Sequence, residues 1–259
     1  CYYYGRIMAS KIFITTYNMR LYKAYANQLI TSYLKTKQTK PMYVFVEDDP
    51  KKYPQENNVH YINLYDEEPE LRRFVERNKH RVANNFYEEA IRFSYKVFAQ
   101  SAARKYGEKV YYVDSDCVFT AQIPNSWYEC CLPDNIFLAF YNRTKQYTET
   151  GFVAFNNMRK VSLQFFKDYK DFYVKDTVYK IQRLGKNFWT DCHTLDGTRQ
   201  LYKNNPEYSE YKLGDGQIGH IIARDQFINP YIDHRKGPRK AQEHSPEWLQ
   251  RRGLAKGYG

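Results

Sequence analysis

Two short stretches carry side chains whose types and spacing suit one reaction centre. Asp114 and Asp116 flank Ser115, directly after the apolar run 110–113. Carboxylate oxygens are hard donors for a divalent cation, which can in turn sit against a diphosphate. An acidic turn that merely ends a strand would look the same. Far downstream comes His234-Arg-Lys-Gly237-Pro-Arg-Lys240. A neutral imidazole can complete a metal site begun by two carboxylates. Gly237 permits close backbone approach to a phosphate, and Lys240 offers it a point charge. Taken alone, this stretch reads equally as a basic tail with an incidental histidine.

Such groups need elements that carry them to one edge. Residues 11–16 form a short β-branched and apolar run, as do 42–46 and 109–113, with a weaker one at 60–65. Between them, Leu21, Tyr25, Leu29 and Tyr33 recur at helical spacing. Pro69 opens a charged helix, and a longer one spans 86–106 with Ile91, Tyr95, Phe98 and Ala102 on one side. Gly107 is placed to stop that helix as a left-handed cap. Alternating strands and helices predict an α/β fold: a doubly wound, mostly parallel sheet with helices on both faces. Ligand sites of such sheets lie beyond the C-terminal strand ends, where Asp114 falls. After Asp116, residues 135–142 and 150–156 read as further strands and Tyr- and Phe-rich helical segments run to about Tyr202. Gly214, Gly216 and Gly219 mark turns.

The 259 residues hold 42% hydrophobic side chains, enough for a sizeable core, and 27 tyrosines. No stretch approaches the ~18 apolar residues of a membrane span. The five cysteines (Cys1, Cys117, Cys130, Cys131, Cys192) are odd in number and lack zinc-ligand spacing, which suits a reduced, cytoplasmic protein. A membrane protein, a disulfide scaffold and a coiled coil are thereby excluded. Met8-Ala9-Ser10 has the look of a translation start, so residues 1–10 are read as a non-native extension, 11–242 as the folded domain and 243–259 as a basic tail. The formal charge of +11 leaves room for a polyanionic partner and is equally explained by solubility.

The pair Asp-x-Asp and His-x-x-Gly-x-x-Lys resembles the GT-A-type glycosyltransferases, above all the family containing glycogenin and bacterial galactosyltransferases. That resemblance implies Mn²⁺ (or Mg²⁺) held by Asp114, Asp116 and His234 on a nucleotide-sugar diphosphate, with a UDP-sugar as donor. Gly237 and Lys240 would contact the diphosphate, and Ser115 would line the donor site. It also implies that Thr15 and Tyr17 face the nucleoside, that Arg92 and Lys96 reach the donor, and that Gly151 lines the sugar pocket. The plainer readings are turn residues for Thr15 and Tyr17, a solvated helix face for Arg92 and Lys96, and a bulge for Gly151. Within Trp189-Thr190-Asp191-Cys192-His193, Asp191 is the first choice for the catalytic carboxylate and Glu149 the second. Asp191 or Thr190 would otherwise only cap a helix, and His193 reads as structural.

The runs Arg92-Phe-Ser-Tyr-Lys96 and Glu149-Thr-Gly151-Phe-Val-Ala-Phe-Asn156 also resemble glycosyltransferases encoded by tailed phages, some of which decorate hydroxylated pyrimidines in DNA. On that likeness the acceptor would be double-stranded DNA carrying modified bases. Arg235, Lys236, Arg239, Arg251, Arg252 and Lys256 would then contact its phosphates. A glycan or lipid-linked sugar is the alternative acceptor. Inverting and retaining chemistry both stay open. Two rivals remain: a nucleotidyltransferase, which would favour a third carboxylate over the distant histidine, and a non-catalytic nucleic-acid-binding protein.

Overall fold

The computed structural model describes residues 2–3, 6–7, 9–214, 216 and 219–253. Among them, seven strands form the central sheet: β1 (Ala9–Tyr17), β2 (Met42–Val46), β3 (Val59–Asn63), β4 (Gly107–Val113), β6 (Leu138–Tyr141), β7 (Glu149–Asn156) and β8 (Glu210–Leu213). Their order is β8-β6-β7-β4-β1-β2-β3. Only β7, wedged between β4 and β6, runs against its neighbours; the other pairs are parallel. Two further strands, β5 (Cys117–Phe119) and β9 (Ile232–His234), form a separate antiparallel ribbon.

The sheet is covered on both sides, which is why its central strands read as continuous apolar runs. Alternation along β1 sends Phe13 and Tyr17 into one core, and Ile12 and Ile14 into the other. On the first side pack Leu29, Ile30 and Tyr33 of α1 (Asn27–Lys35). On the second pack α2 (Pro69–Asn78), α3 (Ala90–Ala102), α5 (Ser162–Val174) and α6 (Asp191–Tyr202), through Phe74, Val97, Phe98, Phe166 and Leu195. A short helix α4 (Asn125–Cys131) places Trp127 and Tyr128 on the first side.

The expected mixed α/β architecture is present, with local departures. The sheet's first strand begins at Ala9, whose pairing with Gly107 carries it into residues expected to lie outside the domain. The helix expected from Leu21 is split: a wide π-turn at Tyr22–Ala26 precedes α1. Gly107 is not a left-handed cap. The helix ends in the tight turn Ala103–Lys105, and Gly107 opens β4, where a Cβ would lie 2.7 Å from Ile12 Cγ1. The chain needs glycine there for close strand packing.

The C-terminal stretch also departs from the expectation of a tail. Residues 246–251 form α8 (Pro246–Arg251), preceded by a short helix α7 (Ile221–Arg224) against which it packs, and Trp248 is buried. Ser245 caps α8 and its hydroxyl donates to Asp233 Oδ1 at 2.6 Å. Gly214, Gly216, Gly219 and Gly237 all have positive φ, so they do turn the chain. Of the cysteines described, Cys117, Cys130, Cys131 and Cys192 are all free. Cys1 and Lys256 lie outside the described residues.

Candidate functional site

Asp114 and Asp116 occupy the bend between β4 and β5, at the C-terminal edge of the parallel strands. The bend is closed by the Cys117 amide donating to Asp114 O at 3.0 Å and anchored by the Asp114 amide donating to Gly151 O at 2.9 Å. Pairing of β5 with β9 puts His234 directly opposite Cys117, and the Arg235 amide donates to Asp116 O at 3.1 Å. Two segments far apart in the chain thus become adjacent strands. The ribbon is what delivers His234 to the aspartates.

His234 Nε2 stands 3.1 Å from Asp116 Oδ1 and 3.8 Å from Asp114 Oδ2. It is buried and aligned for a hydrogen bond with neither. An imidazole nitrogen and two carboxylates, with that nitrogen unsatisfied between them, fit a divalent cation. Donor atoms of Asp116, Cys117 and His234 all lie within 4.8 Å of one another. Cys117 was not a sequence candidate. It belongs to the core, and burial pushes its thiol up, so it sits there as a neutral thiol. Gly151 makes the arrangement possible, because a Cβ there would lie 2.8 Å from His234 Cε1.

Cations neutralise both aspartates. Lys240 Nζ is 3.1 Å from Asp116 Oδ2 and 4.3 Å above the Tyr25 ring, in the π-turn. Burial by itself would raise the Asp116 carboxyl, but His234 and Lys240 outweigh it and hold the group well below the usual carboxylate range. Lys96, from α3, lies 2.8 Å from Asp114 Oδ1, 2.9 Å from Asp191 Oδ2 and 3.3 Å from Thr150 Oγ1. Burial alone would lower its ammonium, yet Asp114 and Asp191 raise it well above the ordinary lysine value. The Tyr112 hydroxyl donates to the same Asp114 oxygen at 3.0 Å.

The two carboxylates expected to catalyse are both engaged. Asp191 opens α6 with Thr190 as N-cap, but Thr190 makes no capping bond; its hydroxyl pairs with His193 Nδ1 at 2.8 Å. His193 packs between Tyr147 and Phe188, as a structural residue would. Asp191 is 1% exposed and held by Lys96. Glu149 is ion-paired with Arg143 Nη1 at 3.0 Å and accepts from Lys236 Nζ at 3.2 Å and the Gly151 amide at 3.0 Å. Burial would raise it, but Lys236, Arg143 and His234 bring its pKa down to about 2.

A cavity of about 950 Å³ opens at this edge, lined in part by Lys96, Asp114, Ser115, Asp116, His234, Lys236, Gly237 and Lys240. Arg92 lines it too, exposed and paired with Glu89 at 2.7 Å. Thr15 and Tyr17 do not reach it. Both are buried, and the cavity is lined instead by Thr16 and Asn18, one residue out of phase along β1. Side chains alternate across a strand, so a motif read without its register selects the wrong face. Asn18 ties two strand ends together by donating to Glu47 Oε2 at 3.0 Å. Arg143 and Thr150 carried no sequence signal of their own.

The basic residues assigned to DNA are mostly committed elsewhere. Arg235 is fully buried and donates to Gln28 Oε1 and to Gln242 O. Lys236 faces Glu149, and Arg239 pairs with Glu247 at 3.0 Å. Arg251 and Arg252 are exposed, with Arg252 4.9 Å from the Trp248 ring. The expected basic edge is therefore not one surface.

No protein-family model and no curated protein sequence matches the chain. Solved structures do. The chain is similar to the bifunctional glycosyltransferase WbbM at 12% identity and a TM-score of 0.51, over 96% of this chain and 50% of that one. It is similar to a glycosyltransferase involved in glycosylation of the major capsid of PBCV-1, at 13% identity and a TM-score of 0.49, over 89% and 96%. It is also similar to the glycosyltransferase GlyE of Streptococcus pneumoniae TIGR4, at 15% identity and a TM-score of 0.48, over 79% and 45%. The chain spans less than half the length of GlyE and half that of WbbM. At these identities the likeness is one of fold. The mixed α/β sheet flanked by helices is a glycosyltransferase fold, of the GT-A-like kind.

Proposed function

We propose that this chain transfers a sugar from a nucleoside-diphosphate sugar, with UDP as the expected nucleotide, to an acceptor hydroxyl. One observation carries the reading: Asp114, Asp116, His234, Gly237 and Lys240 meet in one cavity at the C-terminal edge of a glycosyltransferase fold. Asp114, Asp116 and His234 would hold Mn²⁺ or Mg²⁺. Such a cation offsets the charge that develops on a departing diphosphate. Lys240 is placed to exchange its ion pair with Asp116 for a donor phosphate, and the positive φ of Gly237 turns the backbone into the cavity beside it. A nucleotidyltransferase shares the paired aspartates, but would favour a third carboxylate where this site has His234.

Asp191 and Glu149 each face a cation within about 3 Å and neither lines the cavity, so neither is placed against an acceptor hydroxyl. The base left to the acceptor hydroxyl is the departing phosphate oxygen. On this reading the anomeric configuration is retained, and Lys96, which lines the cavity, is held in place by the buried Asp191 behind it. A DNA acceptor is the less favoured reading, because Arg235 is buried and Lys236 and Arg239 are paired with Glu149 and Glu247. Thermal denaturation with a panel of nucleoside diphosphates, with and without Mn²⁺, tests the reading. Metal-dependent stabilisation that disappears in Asp116→Ala supports it. No shift with any diphosphate refutes it.

A further inference from the structure

We propose that the part of the cavity lined by residues 81–93 is the acceptor subsite and that it takes a neutral saccharide. This rests on the transferase reading above. Phe86 is 48% exposed at the cavity, yet its ring is fixed edge-on against Phe93 at 5.1 Å, with the Arg92 guanidinium 5.0 Å away. The Arg81 guanidinium lies 4.1 Å from the Tyr179 ring. Exposed aromatic faces pack against the C–H face of a sugar ring, and planar guanidinium and carboxylate groups bond its neighbouring hydroxyls. Arg81 and Arg92 are balanced here by Glu88 and Glu89, so this wall does not attract a polyanion.

The wall is also tied to the reaction centre. Glu88 accepts from the Asn84 amide at 3.0 Å and from Asn187 Nδ2 at 3.0 Å, which fastens the 84–88 loop to the short antiparallel pair Gln182–Arg183 and Lys186–Asn187 that precedes α6. The Trp189 amide donates to Tyr87 O at 2.8 Å, two residues ahead of Asp191. Lys96 lies on α3, the helix that follows the loop. A saccharide held on Phe86 therefore rests on the same frame that holds Asp191 and Lys96.

The test is saturation-transfer NMR on the full chain with neutral trisaccharides of glucose, galactose and xylose, a uronate trisaccharide and a short DNA duplex. Thermal denaturation with a nucleoside diphosphate and Mn²⁺ runs in parallel. A neutral trisaccharide should bind, and Phe86→Ala should weaken it roughly tenfold, equivalent to about 1.4 kcal/mol. Arg81→Ala provides a second variant, with both folds checked by circular dichroism. Binding confined to the uronate or the duplex, or no saccharide binding at all, overturns the proposal. So does neutral-saccharide binding indifferent to both substitutions. Loss of the diphosphate shift alone refutes the transferase reading and leaves the saccharide site standing.

Discussion

Gly151 and His234 are packed so closely that a single methyl group on the glycine would lie 2.8 Å from the imidazole Cε1. The contact joins the central sheet to the two-stranded ribbon, because Gly151 lies on β7 and His234 on β9. Gly151→Ala should displace the imidazole from the aspartates. Metal affinity, read by calorimetric titration of Mn²⁺, is expected to fall roughly tenfold or more, as when a group orienting a ligand is altered. Unaltered affinity would show that His234 is not held by this contact.

Lys96 joins Asp114 to Asp191; Asp191 is fully buried, while Lys96 and Asp114 keep partial exposure at the cavity wall. Replacing it with an uncharged side chain strands two carboxylates. Removing one partner of a buried ion pair costs about 3–5 kcal/mol. Lys96→Met should show a loss of that order in urea unfolding. A variant as stable as the parent would mean that water or backbone movement already solvates the pair.

Glu149 makes stability depend on pH at the acid end. Its pKa falls from the ordinary 4.5 to about 2 in the folded chain, as Lys236, Arg143 and His234 outweigh the effect of burial. A lowered carboxyl stabilises the fold above its unfolded pKa, and that contribution fades as pH falls through the folded one. The fold should therefore lose stability between pH 4.5 and about 2. Glu149→Gln should flatten that part of a thermal-denaturation profile. An unchanged slope would assign acid sensitivity to other carboxylates.

Ser245 caps α8 and bonds Asp233, which is one residue from His234. Loss of such a cap costs about 1 kcal/mol. Ser245→Ala should lower the unfolding free energy by at least that amount and loosen Mn²⁺ binding with it. If the cap is lost and the metal still binds as tightly, α8 does not brace the ribbon.

The path from sequence to site can be followed residue by residue. Asp114, Ser115, Asp116, Lys96, His234, Gly237 and Lys240 were all legible as candidates, and the cavity gathers them. Their pairings were not. Lys240 lies against Asp116, a contact that no local pattern around either residue predicts. Thr15 and Tyr17 differ from Thr16 and Asn18 only by strand phase, which depends on how β1 pairs with β2 and β4. Arg235 looked like an exposed basic residue. Its burial depends on Gln28 and Gln242, which no local pattern connects to it.

By itself the sequence determined the alternation of strands and helices, since apolar periodicity is a local property of the chain. It also supplied the chemical types that can meet at a strand end. The tertiary structure decided which of them meet. The pairing of β5 with β9 turned two distant motifs into neighbours, and the reversed strand β7 brought Gly151 and Glu149 beneath them. It likewise divided the +11 charge, burying Arg235 and setting Lys96, Lys236 and Lys240 against carboxylates. Those outcomes depend on long-range contacts whose geometry is set by packing the whole sheet, so no window of sequence contains them.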